Sequence, residues 1–368
     1  MVKVEMLRSA HELDRLKARW IWLEQQCQAI QDKATQEATQ DQATQNQAAQ
    51  CPITLFQSYE LNRRAARWFA AQETPQVVIA ESDSGMAIIP AVRRERELGL
   101  IGETLFDYRD VLSAGDPGVL EAAWQKLARV DLELELTALR GEPARERWTS
   151  LGPMPFCNAP TARRGDITAQ EFVAAHHKSA KASRRLAGQG LRLVRIDSLA
   201  RNGSLGQRQS GVRRIGEWIY RGKAEWRGKS ENLFHSRRRQ DFMLFIIRSA
   251  ILDCTVWSYQ ASDGEIAAAL VTFRHGRVRH FYTIHHDSRW ERFSPGQAMI
   301  FDVTRETLIE NLDVDFMTGE YPYKNRLATA MVPLYRVQAS ARQMASWKSA
   351  APYTAAPTAA ATPDPLGR

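Results

Sequence analysis

Residues 255–285 read TVWSYQASDGEIAAALVTFRHGRVRHFYTIH, and residues 294–318 read SPGQAMIFDVTRETLIENLDVDFMT. The first stretch contains three segments, each of the length of a β-strand. They are separated by Asp263-Gly264 and His275-Gly276, which are typical of tight hairpin turns. In the second stretch, apolar residues recur at helical spacing and then return to strand alternation. The pattern therefore predicts an antiparallel meander, a helix and a further strand. The predicted elements are strands over residues 255–261, 265–274, 278–285 and 314–318 and a helix over residues 295–312.

Upstream of this stretch, the chain alternates helical and strand patterns. A passage with Pro153, Pro155 and Pro160 interrupts the alternation, and we place a domain boundary near Arg164. The predicted fold class is α/β (α+β), with mixed, mostly antiparallel sheets flanked by helices. The predicted helices span residues 11–26, 57–71, 120–127, 168–187, 215–220 and 237–252, and the predicted strands span residues 76–80, 86–93, 132–137 and 191–196.

The length of 368 residues favours two domains. We assign residues 1–164 to an N-terminal domain and residues 165–346 to a C-terminal domain. Residues 31–50 consist mostly of Gln, Ala, Thr and Asn, which predicts a loop insertion or a frayed extension of the preceding helix. Residues 347–368 are rich in Ala, Pro and Thr, so we expect a disordered tail.

The composition argues against several classes of protein. The longest apolar stretch, residues 242–252, is interrupted by Arg248 and is shorter than the roughly 20 residues that a membrane span requires. The N-terminus lacks the uninterrupted apolar core of a signal peptide, so we expect a cytoplasmic protein without a transmembrane segment. Four cysteines without CxxC spacing argue against both a zinc cluster and a disulfide framework.

Positive charge is concentrated in one segment of the chain. The net charge is +8, yet residues 178–239 alone hold 17 Lys and Arg against four Asp and Glu. Such a patch indicates an anionic partner, which could be nucleic acid, an anionic membrane surface or a phosphate-rich cofactor; the alternative is a solvated helical face. Aromatic residues lie among these charges and could stack on bases, but they also fall where amphipathic helices need core residues, which is the interpretation we prefer. They are Trp218, Tyr220, Trp226 and Phe234.

The start of the predicted helix at residue 295 has the features of an anion site. Pro295 has no amide hydrogen to lose at the first helical position, Ser294 can cap the helix, and Gly296 allows close approach to the backbone. The free amides there, including that of Gln297, together with the positive end of the helix dipole, suit a diphosphate. The alternative is an ordinary capped helix that binds nothing.

Residues 313–326 read DVDFMTGEYPYKNR and form a second candidate site. Asp315 lies inside the predicted strand, so we expect its carboxylate to be partly buried and to need a partner. Glu320, Tyr323 and Lys324 follow and bring a carboxylate, a phenol and a cation close by, which could serve as base, acid and anion contact. Asp315 could instead form a structural ion pair.

Histidines cluster around the predicted strand of residues 278–285. His280 and His286 share strand parity whereas His285 does not, so one metal ion could not easily engage all three, and we predict no metal site. The same strand, with Phe281 and Tyr282 on opposite faces, is a plausible wall of a cleft.

The order of these features resembles the GNAT-like acetyltransferases named for the cellulose-biosynthesis protein CelD, which are related in fold to the Fem-type aminoacyl transferases. The resemblance covers residues 20–336 and implies two tandem GNAT-like domains with an acyl donor bound as coenzyme A. It rests on the three strands, Ser294-Pro295-Gly296, the helix, Asp315-Phe316, Gly319-Glu320 and Tyr323-Lys324, together with residues 56–58 (FQS), 107–110 (DYRD), 178–185 and 263–268 (DGEIAA).

The resemblance also implies roles for individual residues. The donor's diphosphate would be held by the backbone at residues 294–297, although Ala298 stands where a second glycine is usual. The thioester would lie within reach of Tyr282, Asp315, Glu320 and Tyr323. As hypotheses, Asp315 or Glu320 is the base, a backbone amide near residues 282–284 polarises the carbonyl, and Tyr323 is the acid. Lys324 would pair with a phosphate or with Glu320.

The resulting prediction is an N- or O-acyltransferase that uses acetyl-CoA or another acyl-CoA as co-substrate. The resemblance implies a small-molecule or glycan-precursor acceptor from envelope or exopolysaccharide synthesis. One alternative is a Fem-like transferase that takes its acyl group from aminoacyl-tRNA bound at residues 178–239, although this segment lacks the long helical hairpin of Fem-type proteins. The other is a non-catalytic protein that binds nucleic acid or a membrane surface on a degenerate GNAT fold.

Overall fold

The computed structural model of the protein describes residues 1–38, 53–102, 105–141, 152–198, 205–225, 233–249 and 251–348. In the N-terminal part, helices α1 (Lys17–Ala38), α2 (Tyr59–Trp68) and α3 (Pro117–Ala128) alternate with strands β1 (Lys3–Leu7), β2 (Thr74–Pro75), β3 (Val77–Ser82), β4 (Gly85–Ile89), β5 (Ala91–Arg94), β6 (Glu97–Leu100), β7 (Leu112–Gly115) and β8 (Glu133–Arg140). The C-terminal part contains strands β9 (Met154–Ala162), β10 (Arg192–Asp197), β11 (Asp253–Gln260), β12 (Ile266–His275), β13 (Val278–His286), β14 (Asp313–Asp315) and β15 (Ala330–Ala339). Its helices are α4 (Ala169–Ala175), α5 (His177–Gly188), α6 (Leu205–Glu225), α7 (Arg237–Arg248), α8 (Pro295–Ile309), α9 (Pro322–Leu327) and α10 (Ala341–Lys348).

Within the described residues, these strands form two sheets. The smaller has four antiparallel strands in the order β1-β3-β4-β7, and the larger has 11 strands in the order β10-β11-β12-β13-β14-β9-β15-β8-β6-β5-β2. In the larger sheet the pairs β13–β14 and β6–β8 are parallel, and the other neighbours are antiparallel. The predicted fold class, mixed α/β with mostly antiparallel sheets flanked by helices, is confirmed.

The larger sheet continues across the predicted domain boundary near Arg164. β15 pairs with β8 on one side and with β9 on the other, and β9 also pairs with β14. Backbone hydrogen bonds therefore join strands from both sides of the boundary. The division into residues 1–164 and 165–346 stays a prediction, and residues 39–50 and 349–368, which contain most of the predicted insertion and tail, lie outside the described residues.

The Pro-rich passage is a strand of the large sheet, which the sequence analysis did not predict. β9 accommodates Pro155 because the β9–β15 register shifts at this residue, and a bulge tolerates a residue without an amide hydrogen. Pro160 still contributes its carbonyl, which accepts a hydrogen bond from the Phe316 amide at 3.0 Å. The prolines of this passage therefore coincide with an irregularity in the β9–β15 pairing and do not end the sheet.

Other predicted elements are wrong in their extent, among them the helix over residues 215–220, which is part of the much longer α6. The strand over residues 86–93 divides at Pro90 into β4 and β5, which belong to different sheets. The helix over residues 168–187 divides at His176, whose backbone leaves the helical conformation and whose Nε2 lies 2.7 Å from the Arg326 carbonyl oxygen. The strand over residues 314–318 ends at Asp315, and Met317 has a positive φ of 65°.

Helices cover both faces of the C-terminal part of the large sheet. On one face, α4, α5 and α8 bury an apolar cluster in which the rings of Phe172 and Phe301 stack 5.4 Å apart. On the other face, α6 and α7 pack with residues of the N-terminal part. Tyr220 and Phe234 are buried there with ring centroids 4.8 Å apart, as expected for core residues. Trp226 lies outside the described residues.

In the part of the chain that the structure describes, no helix is both long and apolar enough to cross a membrane. The same residues contain no group of three or more His, Cys, Asp or Glu side chains arranged to hold a metal ion.

Candidate active site

A cavity of about 1070 Å³ opens between β13 and the segment that follows β14. One wall is the C-terminal end of β13 with the turn after it, the opposite wall comes from residues 316–324, and the ends are closed by α6 and by the start of α8. The lining residues are Trp218, Arg221, Gly222, Lys223, Glu225, Leu270, Phe281, Tyr282, Thr283, Ile284, His285, His286, Asp287, Ser288, Glu291, Ser294, Pro295, Gly296, Gln297, Ile300, Phe316, Tyr321, Tyr323 and Lys324.

The cavity exists because two parallel strands separate. The β13–β14 ladder ends at the pair His280–Asp315, whereas β13 continues to His286. At the point of separation β13 carries a bulge, because Val271 pairs with Thr283 while the next residue of β12 pairs with Phe281. Tyr282 is therefore the extra residue, and a bulge bends and twists its strand and leaves part of the ladder unpaired. The bulge thus lies in the cavity wall.

The start of α8 faces the cavity as the sequence predicts. Pro295 is the first helical residue, and the Ala298 amide donates to the Ser294 carbonyl at 3.1 Å. The amides of Gly296 and Gln297 precede this first intrahelical bond and have no acceptor within the helix. The prediction that the Ser294 side chain caps the helix is wrong. The Ser294 backbone is in the left-handed region, with φ 53°, and its hydroxyl makes no capping hydrogen bond in the described structure.

Helix α5 lies beside this helix start. The Gln297 side chain donates from Nε2 to the Ser179 hydroxyl at 3.1 Å, which ties the first turn of α8 to α5. Helix α5 also carries four exposed cations of the predicted basic helix, none of which lines the cavity, whose lining holds three Lys and Arg and three Asp and Glu. These cations are Lys178, Lys181, Arg184 and Arg185.

Asp315 is completely buried and is absent from the residues that line the cavity. Its Oδ1 accepts from the Tyr108 hydroxyl at 2.6 Å and from the Met317 amide at 2.8 Å, and its Oδ2 accepts from Arg140 at 2.8 Å. The His280 Nδ1 lies 3.6 Å from Oδ2. Burial alone would raise the pKa of this carboxyl, but the Arg140 guanidinium, with His280 and Tyr108, holds it well below its usual range.

Glu320 also lies outside the residues that line the cavity. Its carboxylate is exposed and accepts hydrogen bonds from the backbone amide and the side-chain amide of Asn158, at 2.8 and 2.7 Å. Glu320 therefore joins the segment after β14 to β9. The structure separates the two candidate bases from the cavity that contains the other predicted site residues.

Tyr323 and Lys324 do line the cavity. Tyr323 stacks on Tyr321 with ring centroids 5.9 Å apart, and burial raises its pKa to about 12, so the phenol carries its proton at neutral pH. The Lys324 ammonium donates to the Thr318 carbonyl at 2.8 Å, and burial lowers its pKa to about 8. A buried cation of this kind is stabilised by an anionic neighbour.

Tyr282 lines the cavity, but its hydroxyl is already engaged. The hydroxyl donates to the Leu105 carbonyl at 2.8 Å, and burial holds its pKa well above the usual range. The side chain at the bulge therefore anchors β13 to the N-terminal part.

His285 and Trp218 are neighbours in the cavity, which the sequence did not predict. Their ring centroids lie 4.8 Å apart, and a Cβ on Gly222 would come within 1.9 Å of His285 Nε2, so the imidazole packs directly against the α6 backbone. Burial, with the charges of His286 and Lys223, lowers the pKa of His285 to about 4. From the sequence Trp218 is interpreted as a core residue of an amphipathic helix, because no local pattern brings α6 to β13.

Comparison with known proteins identifies the domain that contains this cavity. Residues 174–325 match the family described as acetyltransferase (GNAT) domain, and no curated protein matches the chain by sequence. The C-terminal domain of an Agrobacterium fabrum protein assigned as a lysylphosphatidylglycerol synthetase is 12% identical, with a TM-score of 0.52 over 77% of this chain and 94% of that one.

Two further solved structures are similar at lower scores. A tandem GNAT protein from the clavulanic acid biosynthesis pathway is 11% identical over 93% of this chain and 99% of its own, with a TM-score of 0.48. FemX is 8% identical over 74% of this chain and 90% of its own, with a TM-score of 0.47. The domain match covers both walls of the cavity and the start of α8. This protein is thus an acyltransferase whose residues 174–325 correspond to a GNAT acetyltransferase domain.

Proposed function

We propose that the protein transfers an acyl group from acetyl-CoA or another acyl-CoA to an amine or hydroxyl. The observation that carries the proposal is the N-terminus of α8, which presents the amides of Gly296 and Gln297 to a cavity of about 1070 Å³. Free amides and the helix dipole bind the diphosphate of a nucleotide-containing donor. The four exposed cations of α5 add to the attraction for its phosphates.

The remaining geometry supports direct attack on a thioester held between the separated strands. A backbone amide at the Tyr282 bulge would donate to the thioester carbonyl, since bulged residues leave the ladder incomplete. Tyr323, protonated at neutral pH, would donate to the leaving thiolate. As the new acyl bond forms and the carbon–sulfur bond breaks, the proton lost by the nucleophile would pass to the Tyr323 oxygen, which has given its own proton to the thiolate, so the phenol is regenerated.

The resemblance implies that Asp315 or Glu320 is the base. We propose instead that both carboxylates hold the walls of the cavity in position. Asp315 holds Arg140 and Tyr108, and Glu320 holds Asn158, so each fixes the position of a wall. Lys324 is proposed as the cation that pairs with a phosphate or with the thiolate. For the acceptor we propose an envelope or exopolysaccharide precursor, in line with the resemblance to CelD-type proteins.

Paired substitutions at Gly296 test the donor site. A Cβ on Gly296 would meet its nearest neighbour, His286 Nδ1, at 3.3 Å, so that side chain must shift slightly in Gly296→Ala, which therefore measures the effect of the added carbon without any charge. Gly296→Asp places a negative charge at a helix N-terminus, which stabilises a helix by about 0.3 to 1 kcal/mol but repels an anion. We therefore expect Gly296→Asp to abolish acetyl-CoA binding in calorimetry while the Tm stays equal or rises.

Two comparisons make the result decisive. S-acetylpantetheine lacks the diphosphate and should bind all three proteins equally weakly. Equal acetyl-CoA affinity in the alanine and aspartate variants would place the donor elsewhere and contradict the proposal.

An aminoacyl-tRNA donor is the second candidate, favoured by the exposed cations of α5. Binding of a nucleic acid weakens steeply with salt because counterions are released. We expect acyl-CoA to stabilise the protein against thermal unfolding at physiological salt. Stabilisation by bulk aminoacyl-tRNA alone, lost on raising the salt concentration, would favour the second candidate.

A further inference from the structure

A short segment of the N-terminal part is bound to both walls of the cavity. On the β13 wall, the Leu105 carbonyl accepts from the Tyr282 hydroxyl at 2.8 Å. On the opposite wall, the Asp107 carboxylate accepts from the Thr318 hydroxyl, and the Tyr108 hydroxyl donates to Asp315 at 2.6 Å. We call residues 105–108 the brace.

The brace is itself held firmly by the N-terminal part. The Gln57 side chain donates to the Tyr108 carbonyl at 3.1 Å, and Leu105, Phe106 and Tyr108 are all at most 3% exposed. The ring of Phe56 lies 5.4 Å from the ring of Phe106 and 6.3 Å from the ring of Tyr282. These contacts unite residues 56–57 with the brace, and they involve parts of two motifs of the sequence, residues 56–58 and 107–110, to which the catalytic scheme gives no role.

The walls need such support where they separate. Beyond the pair His280–Asp315, no ladder hydrogen bonds join β13 to β14 in the described residues, so the distance between the walls is set by other contacts. The brace attaches to the bulge residue on one side and to the end of β14 on the other. It also reaches the cavity cation, because the Thr318 whose side chain binds Asp107 accepts the Lys324 ammonium at its carbonyl at 2.8 Å.

We propose that the brace is a positioning element for acyl transfer: it fixes the separation of the two walls, and Tyr108 is a positioning residue that acts through Asp315. The proposal rests on the proposed donor site, because the wall separation matters to catalysis only if a thioester lies between the walls. A displacement of about 1 Å in such a site lowers turnover by about 100-fold.

The variant Tyr108→Phe tests the brace with little risk to folding. It removes one hydroxyl but keeps the ring, which packs on Phe56 at 6.0 Å and lies under the Arg140 guanidinium at 5.0 Å. Asp315 keeps its bonds to Arg140 and Met317. Tyr259→Phe is the matched control, because Tyr259 also donates to a buried carboxylate, that of Asp302, but lies among residues packed against α8 and not in the cavity lining.

The first readout does not depend on any substrate. In peptide-level hydrogen exchange of the free protein, Tyr108→Phe should speed exchange in residues 281–286 and 316–318, whereas Tyr259→Phe should leave these segments at the wild-type rate. Wild-type exchange in both segments of Tyr108→Phe would overturn the proposal.

The second readout is kinetic. We expect Tyr108→Phe to raise the KM for acyl-CoA and lower kcat, each by about 10-fold, while Tyr259→Phe lowers only the Tm. The double variant Tyr108→Phe/Tyr282→Phe should be no worse than either single variant, since releasing one wall already frees the other. Additive losses would mean two independent contacts and would contradict the brace. If the wild-type protein binds no acyl-CoA, the proposed function is wrong, and the exchange experiment still decides whether the brace holds the walls.

Discussion

The hydroxyl of Tyr108 donates to the carboxylate of Asp315 at 2.6 Å, across 207 positions of sequence. This bond joins the N-terminal part to the end of β14, the strand whose separation from β13 creates the cavity. The Tyr108 hydroxyl and the Arg140 guanidinium together hold the carboxylate of Asp315 inside the sheet, away from the cavity.

Asp315→Asn should lower the free energy of unfolding by more than it raises the activation free energy of acyl transfer in the folded protein. The substitution leaves Arg140, 14% exposed, without its carboxylate, and breaking a buried pair in this way costs about 3 kcal/mol. We expect chemical denaturation at pH 7 to show that loss, and Asp315→Asn/Arg140→Gln to recover part of it. Loss of turnover with an unchanged free energy of unfolding would instead support Asp315 as the catalytic base.

The same ion pair predicts an acid dependence of stability. The folded-state pKa of Asp315 is below its unfolded value, so its contribution is complete above the unfolded pKa of about 4 and is lost as the pH falls towards the folded value. Between pH 5 and pH 2, the wild-type protein should therefore lose more stability than Asp315→Asn. Parallel pH profiles of the two proteins would contradict the depressed pKa.

Binding of acyl-CoA should take up a proton through Lys324. Burial lowers the pKa of Lys324 to about 8, and an anion placed beside the ammonium raises it again. At pH 8, calorimetry in buffers of different ionisation enthalpy should show uptake of a fraction of a proton. Lys324→Met should bind more weakly and without that uptake, whereas uptake that persists in the variant would assign it to another group.

Glu24 should make stability depend on pH near neutrality. Its carboxylate accepts from the Tyr59 amide at 2.5 Å, but burial, with the charge of Glu60, raises its pKa to about 7. Because the folded protein holds this proton more tightly than the unfolded chain, the contribution is present at pH 4 and is lost as the pH rises through 7. Glu24→Gln should therefore gain about 1 to 2 kcal/mol at pH 8 and little at pH 5, measured by urea unfolding. A gain that is equal at both pH values would contradict the raised pKa.

Gly222→Ala should displace His285 from its position in the cavity wall. The added Cβ would lie 1.9 Å from Nε2, so the imidazole must move away from the α6 backbone or the helix must shift. In the wild-type protein the pKa of His285 is about 4, so we expect its NMR resonances to titrate near pH 4 and to shift towards the ordinary value of about 6.5 in the variant. Gly188→Ala is the control, because nothing lies within 4 Å of a Cβ there, and its His285 titration should stay at the wild-type value.

Local sequence patterns were sufficient for the meander, the following helix and the residue at which that helix starts, whereas the anion site there stays a prediction. Hairpin turns such as Asp263-Gly264 and the helix start at Pro295 depend on backbone preferences that act over a few residues. The patterns failed at Pro90 and His176, where one periodic segment divides between two elements. They also failed at Pro155, where a bulge in a long-range strand pair made proline acceptable.

The sequence by itself determined the fold class, the order of the C-terminal elements and the chemistry available at residues 294–297 and 323–324, because all of these follow from short-range periodicity and side-chain type. Only the tertiary structure decided that Asp315 faces Tyr108 and Arg140, that Glu320 binds Asn158, and that residues 105–108 hold both walls of the cavity. The physical reason is that each of these contacts joins elements far apart in the chain. Which buried carboxylate meets which cation depends on how two sheets and their helices pack, and no local pattern records it.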